Sequence, residues 1–259
     1  MQLRSTAKTT ILVLSLAESL GRFALLRMRT RLQHRREPDA LERATWLHGC
    51  CHRILHRLRL RLATNAALPT RGLIVSNHLS HLDILLYGSL GPIIFVSKEE
   101  VRGWPLLGKL AENGGTVFVD RDRPAQAAEA AQQIENYLRG DIPVLLFPEG
   151  TSTDGSSVLP FRSPLFEPAM RAGCPITAAA IAYSADGVKE EALAYYGDKV
   201  FFPHLSATLG CKNLSGSILF AGSTHYVDRK EAARVTHSLV GSLRSNSTNA
   251  TPKVCIQTL

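Results

Sequence analysis

The chain has 259 residues, 45% of them hydrophobic, with 30 Lys and Arg against 22 Asp and Glu and a formal net charge of +8. That length holds one sizeable α/β domain with an appendage, and that apolar content excludes a disordered chain. The basic excess calls for an anionic partner (nucleic acid, acidic lipid headgroups or a phosphate-bearing substrate), and the five cysteines, an odd number without disulfide or zinc spacing, fit a reducing compartment.

From Thr9 to Met28 the chain is apolar, but Glu18 and Arg22 interrupt it, so a full membrane span is not expected. No A-x-A-like site follows that would mark a cleaved secretory signal. What remains is an amphipathic helix trailed by Arg27, Arg29, Arg31, Arg35 and Arg36, the composition of a segment lying in the interface beside anionic lipid. Pro38, Asp39 and Glu42 predict a second helix start, with an apolar stripe through Leu41, Ala44, Leu47, Cys51, Ile54, Leu55 and Leu58. His48, His52 and His56 stack along it every four residues, yet no carboxylate or thiolate completes a metal site, and a solvated or headgroup-facing column is expected.

The period then changes to two, with Leu58, Leu60 and Leu62 set against Arg59 and Arg61, which predicts a half-buried strand. Residues 1–58 therefore read as a membrane-associating appendage of two helices and 59–244 as the catalytic domain. Residues 245–259 read as a polar, disordered tail. Inside the domain, strands are predicted at Leu73–Val75, Ile93–Val96 running to Lys98, Thr116–Val119, Val144–Phe147, Ile176 to about Tyr183, and Ile218–Phe220. Between them stand a short helix from Trp104-Pro105 to Gly114-Gly115, one from Pro124 to about Arg139, a helical stretch to Ala172, and a last helix from Asp228 to Leu243. The fold class is α/β: a mixed, largely parallel sheet flanked by helices.

Chemistry concentrates where the first of these strands breaks, in GLIVSNHLSHLDILL. His78 and Asp83 are five positions apart and would diverge by about 140° on one helix, so they meet only if the helix begins between them. Ser80 is the predicted N-cap, with His78 in the loop and Asp83 in the first turn. An Asp accepting from one imidazole nitrogen fixes the tautomer and leaves the other to take a proton from a hydroxyl. His81 is the rival base and points away from Asp83. Farther on, Arg121 at a strand end beside the helix opened by Pro124 is either an anion site or a surface arginine paired with Asp120 and Asp122, and PEGTS after Phe147 places polar groups at the sheet's carboxyl edge.

Taken in order, NHLSHLD at 77–83, FVDR at 118–121 and FPEGTS at 147–152 resemble the glycerolipid acyltransferase family typified by bacterial 1-acylglycerol-3-phosphate acyltransferases. Pro175-Ile176 onward is similar to its fourth block, and the resemblance spans roughly Leu58 to Phe220. It implies His78 as general base with Asp83 as partner, Arg121 on the acceptor's phosphate, and Glu149, Gly150 and Thr151 lining the acceptor pocket, with Lys98 adding charge. Pro164 departs from the glycine that members often carry after the basic residue. The implied reaction needs no metal or cofactor: an acyl-CoA or acyl-[acyl carrier protein] co-substrate gives its acyl group to a lysophospholipid hydroxyl at the cytoplasmic face of the cell membrane. The acceptor expected first is 1-acyl-sn-glycerol-3-phosphate and the alternative is a lyso-ornithine lipid. No G-x-S-x-G serine or partnered cysteine supports a covalent hydrolase. A non-catalytic basic protein on membranes or nucleic acid leaves the three motifs unexplained, and no nucleic-acid module is present.

Overall fold

The structure is a computed structural model that describes residues 2–120 and 122–249, with side chains as far as Asn246. Helix α1 (Gln2–His34) outruns the apolar stretch read from the sequence, because neither polar flank contains a proline or glycine to stop it. It buries Leu12, Leu16 and Phe23 against the rest of the protein, Phe23 packing edge-on to Trp46 at 4.8 Å. By length and composition α1 is long and apolar enough to cross a membrane, with Glu18 and Arg22 inside it. Those two charges are neutralised sideways: Arg57 and Arg22 both bond the Glu18 carboxylate and hold its pKa down to about 2.

Helix α2 (Ala40–Leu58) starts in the predicted capping box, Asp39 Oδ1 accepting from Glu42 N at 2.9 Å and Glu42 Oε2 from Asp39 N at 2.8 Å. Its far end corrects the sequence reading. Leu58 belongs to the helix; Arg59 turns left-handed at φ 52°, and Leu60 N donates back to Leu55 O at 3.1 Å. This is the 6→1 bond of a Schellman close, with Leu60 supplying the apolar contact beyond the cap. The alternation of leucine and arginine was thus a helix terminus, and the strand β1 is only Arg61–Thr64.

The remaining elements are β2 (Leu73–Ser76), α3 (Leu82–Leu90), β3 (Ile94–Lys98), α4 (Leu107–Asn113), β4 (Val117–Val119), α5 (Pro124–Arg139), β5 (Val144–Leu146), α6 (Glu167–Ala172), β6 (Ile176–Ser184), α7 (Glu190–Leu193), α8 (Phe201–Gly210), β7 (Ser215–Phe220) and α9 (Arg229–Asn249). Among the described residues the strands form one sheet in the order β1-β7-β6-β2-β5-β3-β4, parallel throughout except that β7 runs antiparallel to β6. Both faces are covered, so the central strands are buried on both sides. In β2, Ile74 faces a core shared with α1, α2, α3 and α8, while Leu73 and Val75 face a core shared with α5, α6 and α9. The N-terminal helices thus supply part of the wall of the main core.

Helix α9 also departs from expectation. Asp228 Oδ1 caps it by accepting from Glu231 N, and it continues to Asn249, beyond the Ser245 where a disordered tail was read. Ser242 and Ser245 are tolerated because each hydroxyl bonds the carbonyl four residues back. Residues 250–259 lie outside the described residues.

Candidate active site

β2 lies between β5 and β6 at the middle of the sheet, so its carboxyl end opens onto the crevice where open α/β sheets hold ligands. The chain leaves β2 through Asn77, whose amide reproduces a missing strand partner: Oδ1 accepts from Ile181 N at 2.9 Å and Nδ2 donates to Ile181 O at 3.1 Å. That clamp fixes the exit of the loop carrying His78. The loop's far end is fixed by α3, which begins at Leu82, between His78 and Asp83 as their spacing requires.

The expected Ser80 cap is not the one used. The residue preceding the helix is His81, which makes no capping hydrogen bond, and Ser80 Oγ accepts only a long 3.4 Å contact from Leu82 N. Asp83 takes over that task, Oδ2 accepting from Leu79 N at 2.8 Å and from Ser80 N at 3.2 Å. One carboxylate therefore folds the loop and meets the imidazole.

His78 Nδ1 lies 2.7 Å from Asp83 Oδ2. Facing an ionised acceptor, Nδ1 carries the proton and Nε2 is the basic nitrogen. The Asp83 side chain is fully buried, whereas the His78 side chain keeps 23% of its surface exposed, so the pair is dry on the carboxylate side and open on the imidazole side. Phe147 stacks under the ring at 4.2 Å between centroids and 19° between planes. Tyr183 closes the back, its hydroxyl donating to Asp83 Oδ1 at 2.6 Å. The arrangement can take a proton from a substrate hydroxyl and return it to a leaving group.

His81 is built differently. It sits in a box of Trp104, Tyr195 and Phe201, with Nε2 buried and unpartnered, and burial drives its pKa down to about 3. An imidazole so weakly basic and so enclosed is unsuited to take a proton at neutral pH.

The other sequence-derived site residues fall into three groups. Glu149 is brought directly to His78, its Oε1 accepting from His78 N at 2.8 Å and its Oε2 from Leu159 N at 2.8 Å. Only 4% exposed, it ties the His78 loop to the 149–159 loop, and burial pushes its carboxyl above the usual range. Gly150 holds φ +79° in the turn after Phe147, and Thr151 beside it is exposed. Lys98 ends β3 at the same sheet edge, exposed, next to Val119 of β4. Arg121 lies outside the described residues. Pro164 opens a 3₁₀ turn, Ser163–Phe166, where its missing N–H costs nothing. In the histidine column of α2, His48 and His52 stand 6.0 Å apart between ring centroids and His48 Nδ1 bonds Gly88 O at 2.9 Å, and no group of three metal-ligating side chains occurs among the described residues.

Replacing Glu149 with Gln tests the tie. Gln presents one acceptor and one N–H₂ where two backbone N–H groups need acceptors, so a donor faces a donor. We expect a loss of about 1–3 kcal/mol in stability, read by denaturant unfolding, with a fall in turnover because His78 loses its anchor.

These features define a class: an α/β protein with a hydrogen-bonded His-Asp pair at the carboxyl edge of a parallel sheet, an arrangement able to move a proton to and from a substrate oxygen. The chain belongs to the acyltransferase family. The family model described as Acyltransferase matches residues 57–182. A lyso-ornithine lipid O-acyltransferase of Pseudomonas aeruginosa is 33% identical over 92% of this chain and 93% of its own length. A 1-acyl-sn-glycerol-3-phosphate acyltransferase of Neisseria gonorrhoeae is 34% identical over 50% of this chain and 51% of its own. In fold the chain is similar to the crystal structure of the 1-acyl-sn-glycerophosphate acyltransferase PlsC of Thermotoga maritima, with a TM-score of 0.70, 17% identity and 97% of each chain covered.

Proposed function

We propose that this acyltransferase moves a fatty acyl group from an acyl thioester to the free hydroxyl of a lyso-ornithine lipid, with His78 as general base. The observation that carries the chemistry is the 2.7 Å pairing of His78 Nδ1 with a fully buried Asp83 carboxylate. His78 Nε2 takes the acceptor's hydroxyl proton, the oxygen attacks the thioester carbonyl, and the C–S bond breaks. The imidazolium then returns its proton to the departing thiolate, so no covalent acyl-enzyme forms. Acyl-CoA and acyl-[acyl carrier protein] both supply such a thioester.

The acceptor reading rests on relatedness along nearly the whole chain to a lyso-ornithine lipid enzyme. The lysophosphatidate reading expected first from the motifs rests on Arg121, with Lys98 adding charge, and draws on sequence relatives matched over half the chain and on a fold neighbour of 17% identity. The deciding experiment offers purified protein both acceptors with each donor and follows products by mass spectrometry. A higher kcat/KM for the lyso-ornithine lipid supports the proposal; a preference for lysophosphatidate moves the acceptor and leaves the base in place.

The enzyme reaches its lipid from the membrane surface through α1. Leu3, Leu14 and Leu25 are 60–90% exposed and eleven residues apart, which is about three helical turns, so they fall in one outward line. The hydrogen bonds of Ser5 and Thr9 to Ser206, with Ser5 also against Gly210, pack α8 along α1, and α8 adds exposed Phe202. Arg4 and Arg29, exposed on α1, and Arg35, exposed just beyond its end, carry charge for anionic headgroups. Because α1 also walls the core, point changes test the idea better than truncation. Leu14→Asp with Leu25→Asp removes two side chains of roughly 1.5–3 kcal/mol burial each, so affinity for anionic vesicles should fall at least about tenfold in a flotation assay. Unchanged flotation refutes the ridge as the contact.

A further inference from the structure

Asp83 is held from a direction that the catalytic motif does not contain. Its Oδ1 receives the Tyr183 hydroxyl at 2.6 Å from the end of β6, a hundred residues away. Tyr183 is itself fixed at the backbone, its N donating to Glu190 Oε1 at 2.6 Å. Glu190, at the start of α7, is gripped by Arg244 of α9: Nη1 donates to Oε1 at 3.0 Å and Nη2 to Oε2 at 2.7 Å, a bidentate pair.

Arg244 is only 7% exposed and donates twice more. Nη1 reaches Ile181 O at 3.0 Å, the carbonyl that also accepts from Asn77, and Nη2 reaches Gly155 O at 2.7 Å. Gly155 sits at φ +84°, where an added Cβ would stand 2.9 Å from Nη2 and 3.2 Å from Leu79 Cδ2. Two residues before it, Thr153 N donates to His78 O at 2.9 Å. A single guanidinium thus reaches both sides of the His78 loop, through β6 on one and the 149–155 loop on the other.

We infer that Tyr183, Glu190 and Arg244 are positioning residues of the acyl transfer. The Tyr183 hydroxyl aims Asp83 at the imidazole, and the Arg244-Glu190 pair fixes both Tyr183 and the loop that holds His78. A buried cation tied to a carboxylate and two carbonyls is costly to desolvate and weak evidence of stabilisation in itself. These three partners lead to the loop that carries His78. Burial and Asp83 together push the Tyr183 hydroxyl well above its usual pKa, so it remains a donor across the working range.

The inference rests on His78 being the base, and the experiment separates the two. Tyr183→Phe keeps the ring and removes one donor. Expected are a kcat roughly tenfold lower, the size of one lost charge-assisted hydrogen bond, and KM for acceptor and donor within twofold of wild type. The acidic limb of the kcat/KM profile should also move to higher pH, because Asp83, sharing its charge with one donor fewer, stabilises the imidazolium more. The other titratable groups around Asp83, namely Tyr87, Glu149 and His78, are unchanged by the substitution. Arg244→Lys keeps the charge without the fork and should lower kcat with KM unchanged, less than Arg244→Met does. A folded Tyr183→Phe enzyme with wild-type kcat and pH profile overturns the inference, as does a loss of kcat that only tracks a lower folded fraction. If His78→Ala is inactive while Tyr183→Phe is wild type, positioning alone fails; if His78→Ala is active, the proposed mechanism fails with it.

Discussion

His78→Ala is expected to stop acyl transfer in a protein that still folds. The side chain is partly exposed, makes one side-chain hydrogen bond and stacks on one ring, so removing it leaves no buried group of its own stranded except Asp83 Oδ2, which keeps two backbone donors. Positioned general base catalysis supplies about 10²–10⁴ in rate. Without it, the acceptor hydroxyl must attack while still protonated. Thiol release monitored with a chromogenic disulfide should therefore fall at least a hundredfold, with vesicle binding and thermal midpoint near wild type. The control is His81→Ala. That ring is neutral, enclosed and unpartnered, so its removal should cost stability by opening a cavity among Trp104, Tyr195 and Phe201 while leaving detectable turnover. If the two results are reversed, His81 is the base and the geometry has been misread.

What the sequence made legible, and what it hid, follows the range of the interactions. The capping box of α2, the proline opening α5 and the strand at Leu73–Val75 were readable because each is set by residues within one turn or one strand. The meeting of His78 and Asp83 was readable for the same reason, five residues being close enough for helix geometry to constrain. Local periodicity also misled where two structures share it: leucine at every second position around Arg59 fits a strand and equally fits a Schellman close followed by a strand. Tyr183 and Arg244 were invisible. Their contacts with Asp83 and the 149–155 loop exist only because β6 pairs with β2 and α9 packs on β6, and nothing in a single chain's spacing announces a neighbour a hundred residues off. Glu149 was found by its motif, yet its two backbone contacts became visible only when the loop at Leu159 was placed beside it. One signal was available: a glutamate next to the catalytic strand end, followed by glycine and threonine, is an acceptor for loop N–H groups as readily as for a ligand.

Asp83→Asn separates the two tasks given to one carboxylate, and its expected effect is as large as removing the base. Asparagine keeps the shape and one acceptor oxygen, so the N–H groups of Leu79 and Ser80 can still be satisfied if that oxygen takes the Oδ2 place. The N–H₂ then occupies the Oδ1 place, where the Tyr183 hydroxyl must turn from donor to acceptor, which a hydroxyl can do. The loop therefore survives, and α3 starts where it did. What is lost is charge. A neutral amide does not stabilise the imidazolium formed as His78 takes the acceptor's proton, and the other amide orientation is disfavoured because it turns N–H₂ toward the N–H groups of Leu79 and Ser80. Loss of kcat by about 10²–10⁴ follows from that lost charge, with KM for both substrates near wild type because neither binds Asp83. The check is kcat and KM measured on Asp83→Asn beside Asp83→Ala, with unfolding followed in parallel. The alanine variant strands the two loop N–H groups and the Tyr183 hydroxyl, so it should also lose stability by about 1–3 kcal/mol, whereas the asparagine variant should keep nearly all of it. Equal loss of stability in both would mean that Asp83 acts through the fold alone, and wild-type turnover in Asp83→Asn would remove it from the mechanism.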